Sequence, residues 1–548
     1  MDKPSFLFSI FDRINLMEKP EQISRENSKP RIYKGLDAEA YYVKFLEHFY
    51  FEEAVAFEAV IDLAKNIEDA GGKAMMAGGA VRDEIMGNIS KDWDIEVYGF
   101  QPEKIKEIAA QFGTINEVGA SFGIIKLRVG NMEIDLSLPR RESKTGKTHK
   151  DFAAEFDPNM TTEEASRRRD FTMNSLAKNI LTGEIEDYFG GIDDIKNKIL
   201  RVTDEERFKD DALRILRGAQ FVGRFGLSAE QKSLESMRSM TGELKYLPKE
   251  RFREEWLKLF LKSPKPSLGL AAAMDIGIFE AMHKNEIMPL PKTPQEPEWH
   301  PEGDVWTHTL MVTDEAAKIA REEMLDERES LIVILGAFCH DLGKPSTTKF
   351  ENGRVRSIGH DEAGAEPTKK FLSDIGIEKS LCEPIVKTVI AHLRPSLLYN
   401  EKLKNIKHKD AVFRNLAKTI YPATMKELAC VAKSDHLGRG PFPLPDSPGK
   451  FFVPEDYPAG DWFLERANNL NIVAEKPKSV ISGQDLIKQG FETNERTGNV
   501  KFGEIIKLAD LLRDEKEITR EEILALISES KERPIDKLIE ALKEKFSA

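Results

Sequence analysis

Apolar positions change period several times along the chain. From about residue 37 to 70 the segment AYYVKFLEHFYFEEAVAFEAVIDLAKNIEDAGG spaces them for helices, and Gly71-Gly72 is a helix stop. From about 73 to 190 short apolar runs alternate with turns and helical stretches, an α/β pattern. KAMMAGG, DWDIEVYG, GIIKLRVG and MEIDLSL read as strands. From about 191 to 290 the spacing is mostly helical. PLPKTPQEPEWHPEGD is then a Pro-rich linker, and residues about 303–440 are helical again. PFPLPDSPGKFFVPEDYP (441–458) is a second Pro-rich connector, before a charged helical segment at about 459–548. Residues 1–36, with EKPEQISRENSKP, read as a poorly ordered lead-in.

Composition adds bounds to this picture. At roughly 100–200 residues per domain, 548 residues suggest about three to five domains. No apolar stretch approaches the roughly 20 residues that span a bilayer, so no membrane partner is expected. The opening MDKPSFLFSIFDRINLMEKPEQ lacks a basic region and a cleavage site, and does not read as a signal peptide. Cys339, Cys382 and Cys430 are far apart, show no zinc spacing and suit a reducing cytoplasm, the expected location. A net charge of −13 argues against nucleic-acid binding in general. Arg167-Arg168-Arg169 and the mixed KERFRE (Lys249 to Glu254) still leave room for a local basic groove.

The first candidate chemistry lies in AGGAVRDEIMGNISKDWDIEVYG. A strand ends at Gly78-Gly79, and the helix that follows carries Arg82 and Asp83. Paired glycines at such a turn let backbone N–H groups approach a phosphate, although tight packing alone also uses them. Asp92 and Asp94 fall on one face of the next strand, where two carboxylates suit a divalent cation. Two exposed acids flanking a core Trp are the ordinary alternative. Glu133 and Asp135 share a face of a later strand, and either can complete such a site. Asp211 and Arg214, three apart on a helix, form by default a surface ion pair.

A second constellation is rich in histidine. Seven of the ten His fall between His300 and His436. The ordered set His308, His340-Asp341, His360, His392 and Asp435 offers imidazole and carboxylate ligands to a transition metal, or to Mg²⁺ or Mn²⁺ with added waters.

The ordered segments from Ala77 to Leu227, with RRRDFTMNSLA, EDYFGGIDD and RFKDDALRILRGAQFVGRFGL after the first set, resemble class II CCA-adding tRNA nucleotidyltransferases and the related bacterial poly(A) polymerases. WTHTLMV, CHDLGKP, IGHDEAG, AHLRP and SDHLGR resemble HD-domain metal phosphohydrolases. The resemblance implies a multidomain α+β chain. A polymerase-beta-like nucleotidyltransferase head of mixed sheet and helices (37–190) leads to an all-α, RNA-binding neck and body (191–290). An all-α HD domain (300–440) and a small helical tail (459–548) follow. It implies template-independent addition of CCA to the 3′ end of tRNA from CTP and ATP, and HD hydrolysis of cyclic or terminal phosphates on RNA. The alternatives are a poly(A) polymerase, a partial CC- or A-adder, or an HD hydrolase with a degenerate head.

Roles carry over position by position. Asp92 and Asp94 match the Mg²⁺-binding catalytic pair, and Asp135 the third acid. Gly78, Gly79, Arg82 and Asp83 match the phosphate-binding turn and its brace. Arg169, Asp170 and Asn174 match the ribose and triphosphate segment, with Asp170 a suitable acceptor for a 2′-OH. Asp211 and Arg214 match the base-reading pair, and Arg217 reaches towards the triphosphate. Lys249, Arg251 and Arg253 are candidate phosphate contacts. His308, His340, Asp341 and Asp435 match the minimal HD metal set, and His360 and His392 the extra ligands, for Mn²⁺, Ni²⁺ or Mg²⁺. The chain departs from the pattern at Asp210, usually Glu, and at Gln220, usually Arg. It also lacks the Pro-Gly-Pro expected in the tail near Gly498-Asn499-Val500.

Overall fold

The computed structural model describes residues 22–24, 30–48, 51–90, 93–116, 124–144, 152–443, 450–491, 498–529 and 535–547. Two compact units result, Met1–Leu259 with Leu268–Met282, and Phe260–Ser267 with His283–Ala548.

The first unit is built on a mixed sheet. Its strands are β1 (Gln22–Ser24), β2 (Arg31–Lys34), β3 (Lys73–Ala77), β4 (Asp94–Tyr98), β5 (Thr114–Asn116), β6 (Ile124–Val129), β7 (Met132–Ser137), β10 (Ala177–Asn179) and β11 (Glu184–Asp187), in the order β1-β2-β11-β10-β3-β4-β7-β6-β5. Between β7 and β10 lies a separate hairpin of β8 (Arg140–Lys144) and β9 (Phe152–Phe156). Only β4 and β7 of the large sheet pair in parallel, with the other neighbours antiparallel. All four strands read from the sequence are present.

The lead-in is a correction. Arg31–Lys34 is not unstructured: β2 pairs with β11 along its full length, and Tyr33 is buried. Alternation in RIYK supplies one inward residue, enough once a neighbouring strand satisfies the backbone. Helices Ala38–His48 and Phe51–Asp69 follow. Phe45 and Phe57 pack on Trp93 at ring separations of 5.3 and 5.2 Å, which pins the start of β4. Later helices, among them Leu213–Phe225 and Gln231–Ser239, complete the unit. The middle is not wholly helical, since Ile199–Leu200 and Ser228–Ala229 form a short parallel pair.

The second unit is helical around Val305–Glu322, Glu327–Cys339, Lys379–Ala391 and Met425–Leu437. Asp304, Asp326 and Thr424 cap three of these helices at their N-termini, the last two through capping boxes with Glu329 and Glu427. One antiparallel hairpin, Lys349–Glu351 with Arg354–Arg356, interrupts a stretch whose sequence reads as helical. Its turn is Asn352-Gly353 with φ of 51° and 76°, the left-handed pair that a two-residue hairpin loop requires. Helices Gly498–Lys516, Arg520–Glu529 and Ile535–Ser547 close the chain over their own apolar core.

Candidate functional site

In the first unit, β3 delivers the chain into Gly78, whose φ of 68° and ψ of −122° suit only glycine. A Cβ there would also stand 2.5 Å from Arg169 Nη1. The turn therefore has to be glycine for its backbone, and a side chain there would also displace the guanidinium beside it. The helix Gly79–Ile85 starts directly after it. Arg82, on its buried side, donates to Asp83 Oδ1 (2.8 Å) and Asn174 Oδ1 (2.8 Å), and lies over the Phe225 ring. Arg82 and Asp83 thus brace the turn from behind.

The acidic residues meet across the parallel pairing of β4 with β7. Asp94 opens β4 at an exposed position, and its partner in β7 is Asp135. Asp92 lies outside the described residues. Glu133 is two residues before Asp135 but takes Lys126 as its ion partner at 3.2 Å. Lys126 is also 3.7 Å from Asp135. The donors of Asp94 and Asp135 are carboxylate oxygens facing solvent, a set that fits a hard divalent cation.

Glu96, next on the face of Asp94, is a candidate site group not singled out from the sequence. It accepts from Arg169 Nη2 at 2.7 Å and from Tyr98 Oη at 2.7 Å. Burial works against its charge, but Arg169 and the Tyr98 hydroxyl outweigh that and hold its pKa below the ordinary glutamate range. Its place two residues beyond Asp94 in the strand DIEVY was the available signal.

Asp170 is buried and its oxygens are already engaged. Oδ1 accepts from Phe171 N (2.8 Å) and Asn174 Nδ2 (2.9 Å), and Oδ2 from Arg217 Nε (2.7 Å). A continuous chain of bonds therefore runs Arg217–Asp170–Asn174–Arg82–Asp83. Burial opposes ionisation of Asp170, but Arg217 and Asn174 hold its pKa below the usual carboxylate value.

Asp211 and Arg214, expected to read the base, differ in geometry from the helical i,i+3 pair. The helix begins at Leu213, so Asp211 precedes it and its carboxylate accepts from Leu213 N. Its other oxygen pairs with Arg251 Nη2 at 2.7 Å, while Arg214 donates to the carbonyls of Arg207 and Arg168 at 2.6 Å each. The i,i+3 ion pair is replaced by separate partners. Asp210 is half-buried, whereas Gln220 is buried with neither amide atom hydrogen-bonded. That departure falls in the packing of the helix.

In the second unit the His and Asp residues converge. His308, His340 and Asp435 form one set of ligand atoms and Asp341, His360 and His392 another, each within 4.8 Å. Asp341 sits between them, with Oδ2 3.1 Å from His340 Nε2 and 3.7 Å from His308 Nε2, and Oδ1 3.4 Å from His360 Nε2. One device orients three rings: Nδ1 of His340, His360 and His392 bonds the carbonyl three residues earlier, of Ala337, Ser357 and Val389. That leaves each Nε2 turned inward as a ligand atom. The close approach of chain segments depends on Gly343, where a Cβ would lie 2.0 Å from the His360 carbonyl.

For His308 the orienting group is Glu302, with Oε1 2.8 Å from Nδ1; Glu302 also contacts His300 Nδ1 at 2.9 Å and accepts from Gly440 N. Neither His300 nor Glu302 was singled out from the sequence, because both lie in the Pro-rich linker. Burial favours neutral Asp341 and Asp435. His340 with Lys344, and Arg439 with His308, outweigh it and keep both carboxyls well below the usual range. Burial, with His340 and His360 close by, pushes His392 down to about 3, leaving a neutral ligand at physiological pH. His340 Nε2 and Asp341 Oδ1 are buried without a hydrogen bond, while Asp341 Oδ2 has Lys344 Nζ at 2.7 Å. Such orphaned atoms, all metal-ligand types, fit a bound cation.

The fold and these two centres define a class: a nucleotidyltransferase head and an HD-type metal domain in one chain, both of kinds that are generally metal-dependent. Residues 74–201 match the family model for the poly A polymerase head domain, and 305–437 that for the HD domain. Residues 226–285 match "Probable RNA and SrmB- binding site of polymerase A". The chain is 33% identical over 372 residues to the multifunctional CCA protein of Vibrio parahaemolyticus, covering 66% of this chain and 85% of the relative. It is 29% identical over 428 residues to that of Pasteurella multocida, covering 77% and 92%. The chain belongs to the multifunctional CCA protein family. In fold it is similar to a CCA-adding enzyme in apo form II (TM-score 0.56, 19% identity, 91% and 99% covered). The same holds for the Thermotoga maritima CCA-adding enzyme complexed with tRNA (TM-score 0.54, 18%, 91% and 99%).

Proposed function

We propose that the protein adds CCA to the 3′ end of tRNA from CTP and ATP without a nucleic-acid template, and that its HD centre hydrolyses phosphates at RNA ends. It is a nucleotidyltransferase reading, carried by one observation above the rest. Asp94 and Asp135 are direct partners across the parallel pair beside the Gly78 turn, in a chain of this family. Asp94, Asp135 and, by the resemblance, Asp92 would hold Mg²⁺. Bound there, it would supply a lowered pKa for the attacking 3′-hydroxyl and an offset to triphosphate charge.

The remaining work falls to the chain itself. Gly78 leaves room for a phosphate, and Glu96 fixes Arg169 where its guanidinium faces that turn. Arg82, Asn174, Asp170 and Arg217 hold the wall opposite as one bonded chain. Asp211 and Arg214 offer an acceptor and donors to the base edge, and the incoming base competes with Arg251 for Asp211. In the HD centre, His308, His340, Asp341, His360, His392 and Asp435 would hold Mn²⁺, Ni²⁺ or Mg²⁺, which would supply an activated water. Hydrolysis adds hydroxide to phosphorus, and the proton goes to the departing oxygen. A cytoplasmic location accords with a tRNA substrate and three free thiols.

The test is incubation with Mg²⁺ and tRNA lacking its 3′ end, supplied with CTP, ATP or both, with product length read on a gel. Addition of C, C and A followed by a stop is expected. Long A tails would mean poly(A) synthesis. Asp94→Ala abolishes addition and spares phosphate release from RNA ends; retained addition overturns the metal assignment.

A further inference from the structure

The hairpin Lys349–Glu351/Arg354–Arg356 is inserted between two ligand-bearing segments of the HD centre, His340-Asp341 and His360. Hydrogen bonds tie it to that centre. Thr348 and Ser357, the residues flanking its base, share a hydroxyl–hydroxyl bond of 2.7 Å. The Ser357 carbonyl then accepts from His360 Nδ1 at 2.7 Å. On the outer side, Glu296 Oε2 accepts from Val355 N at 2.9 Å.

The base of the hairpin carries two like charges. Lys349 is the direct cross-strand partner of Arg356, a placement that destabilises a hairpin because the two cations repel. On the next rung of the same face the pattern is reversed. Glu351 faces Arg354, and Arg354 has a further carboxylate, Glu298, at 2.9 Å. Among the described residues no carboxylate pairs with Lys349 or Arg356. Of these two rungs, the one with uncompensated cations is thus the nearer along the chain to Asp341 and His360. Beside them runs segment 296–300, held by the Glu296 and Glu298 contacts. Its Trp299 is 55% exposed and is followed by His300, whose ring packs on His308 at 4.6 Å. Two cations and an open indole on segments bonded to the HD centre match a nucleotide chain, with phosphate charge for the former and a base for the latter.

We propose that Lys349 and Arg356 bind a backbone phosphate of a single-stranded RNA end, adjacent to the phosphate presented to the metal centre, and that Trp299 stacks on a neighbouring base. The HD centre then selects an oligonucleotide end over a free mononucleotide. The proposal rests on the phosphohydrolase reading of this centre and adds its substrate class.

The experiment uses the full chain with Mn²⁺ or Ni²⁺. Substrates are a trinucleotide ending in a 2′,3′-cyclic phosphate and the corresponding cyclic mononucleotide. For Lys349→Ala/Arg356→Ala, KM for the trinucleotide rises about tenfold and loses part of its salt dependence, as expected for lost phosphate contacts. Its kcat, and both constants for the mononucleotide, stay as in the unsubstituted protein. Trp299→Ala raises the trinucleotide KM and Trp299→Phe restores it, which a purely structural tryptophan would not do. Equal effects on both substrates, or none on either, overturn the proposal. A parallel arm photocrosslinks a 4-thiouridine trinucleotide carrying a 3′-phosphate. If the unsubstituted protein hydrolyses neither substrate yet crosslinks through 299 and 349–356 in a Lys349/Arg356-dependent way, the hydrolase reading fails and the RNA-end site stands. Absence of that crosslink removes the site.

Discussion

Asp170→Asn tests whether the buried carboxylate of the head is the counter-charge that holds its nucleotide wall together. The carboxylate is 5% exposed and accepts from three donors, one of them the Arg217 guanidinium. An asparagine keeps the shape, removes the charge and turns an NH₂ group towards donors. Breaking one side of a fully buried ion pair costs about 3–5 kcal/mol. Arg217 is 33% exposed, so water screens part of the loss and about 2–3 kcal/mol remains. For a unit of this size that is roughly a 5–10 °C fall in its unfolding temperature. The pH dependence has a definite sign. The folded-state pKa of Asp170 is depressed from 3.8, so its contribution is complete at neutral pH and is lost as pH falls through the folded value, below about pH 4. The unsubstituted protein therefore loses stability more steeply on that acid limb than Asp170→Asn does. Calorimetry between pH 3 and 7 measures both quantities, and extension of tRNA with ATP or dATP measures the functional loss. A destabilisation under about 1 kcal/mol with an unchanged acid limb would refute the role of Asp170 as the charge partner of Arg217.

Other perturbations follow from the same geometry. Gly78→Ala forces a Cβ to within 2.5 Å of Arg169 and a side chain into a glycine-only backbone conformation. It should cut nucleotide addition at least a hundredfold and destabilise by about 1–3 kcal/mol, read by extension kinetics and thermal unfolding. Arg251→Ala releases Asp211 from its 2.7 Å ion pair, and is expected to shift the ratio of C to A incorporation while leaving total addition within about tenfold. An unchanged ratio would place Asp211 outside base selection. Glu302→Gln weakens the hold on His308 Nδ1, and titration calorimetry should show HD metal affinity falling roughly 10- to 100-fold while nucleotide addition stays intact.

What the sequence made legible, and what it did not, divides along a physical line. Local patterns sufficed for β3, the Gly78 turn and the helix behind it, because a strand period followed by paired glycines is written in consecutive residues. The His and Asp residues that converge in the HD domain were legible for a related reason: several His-bearing segments recur in order within one helical domain. Strand β2 was missed because four residues of RIYK have no pattern until β11 pairs with them. The HD hairpin was missed although Asn352-Gly353 is a strong local turn signal, because the helical runs on either side dominated the window.

The groups that orient the site residues are the least legible of all, and their placement explains why. Glu96 acts on Arg169 across 73 positions of sequence, and Arg251 reaches Asp211 across 40. Neither separation carries a period or a motif. Parallel pairing of β4 with β7 likewise chooses Asp135 over Glu133 through register, since Asp94 meets Asp135 while Glu133 is drawn to Lys126. A one-residue slip in that register would bring a hydrophobic neighbour of Asp135 beside Asp94 and turn the acids apart. The chemistry-bearing residues are thus named by local sequence, but their mutual geometry is decided by the sheet. Substitutions that disturb the β4–β7 register should abolish nucleotide addition with every acidic residue still in place.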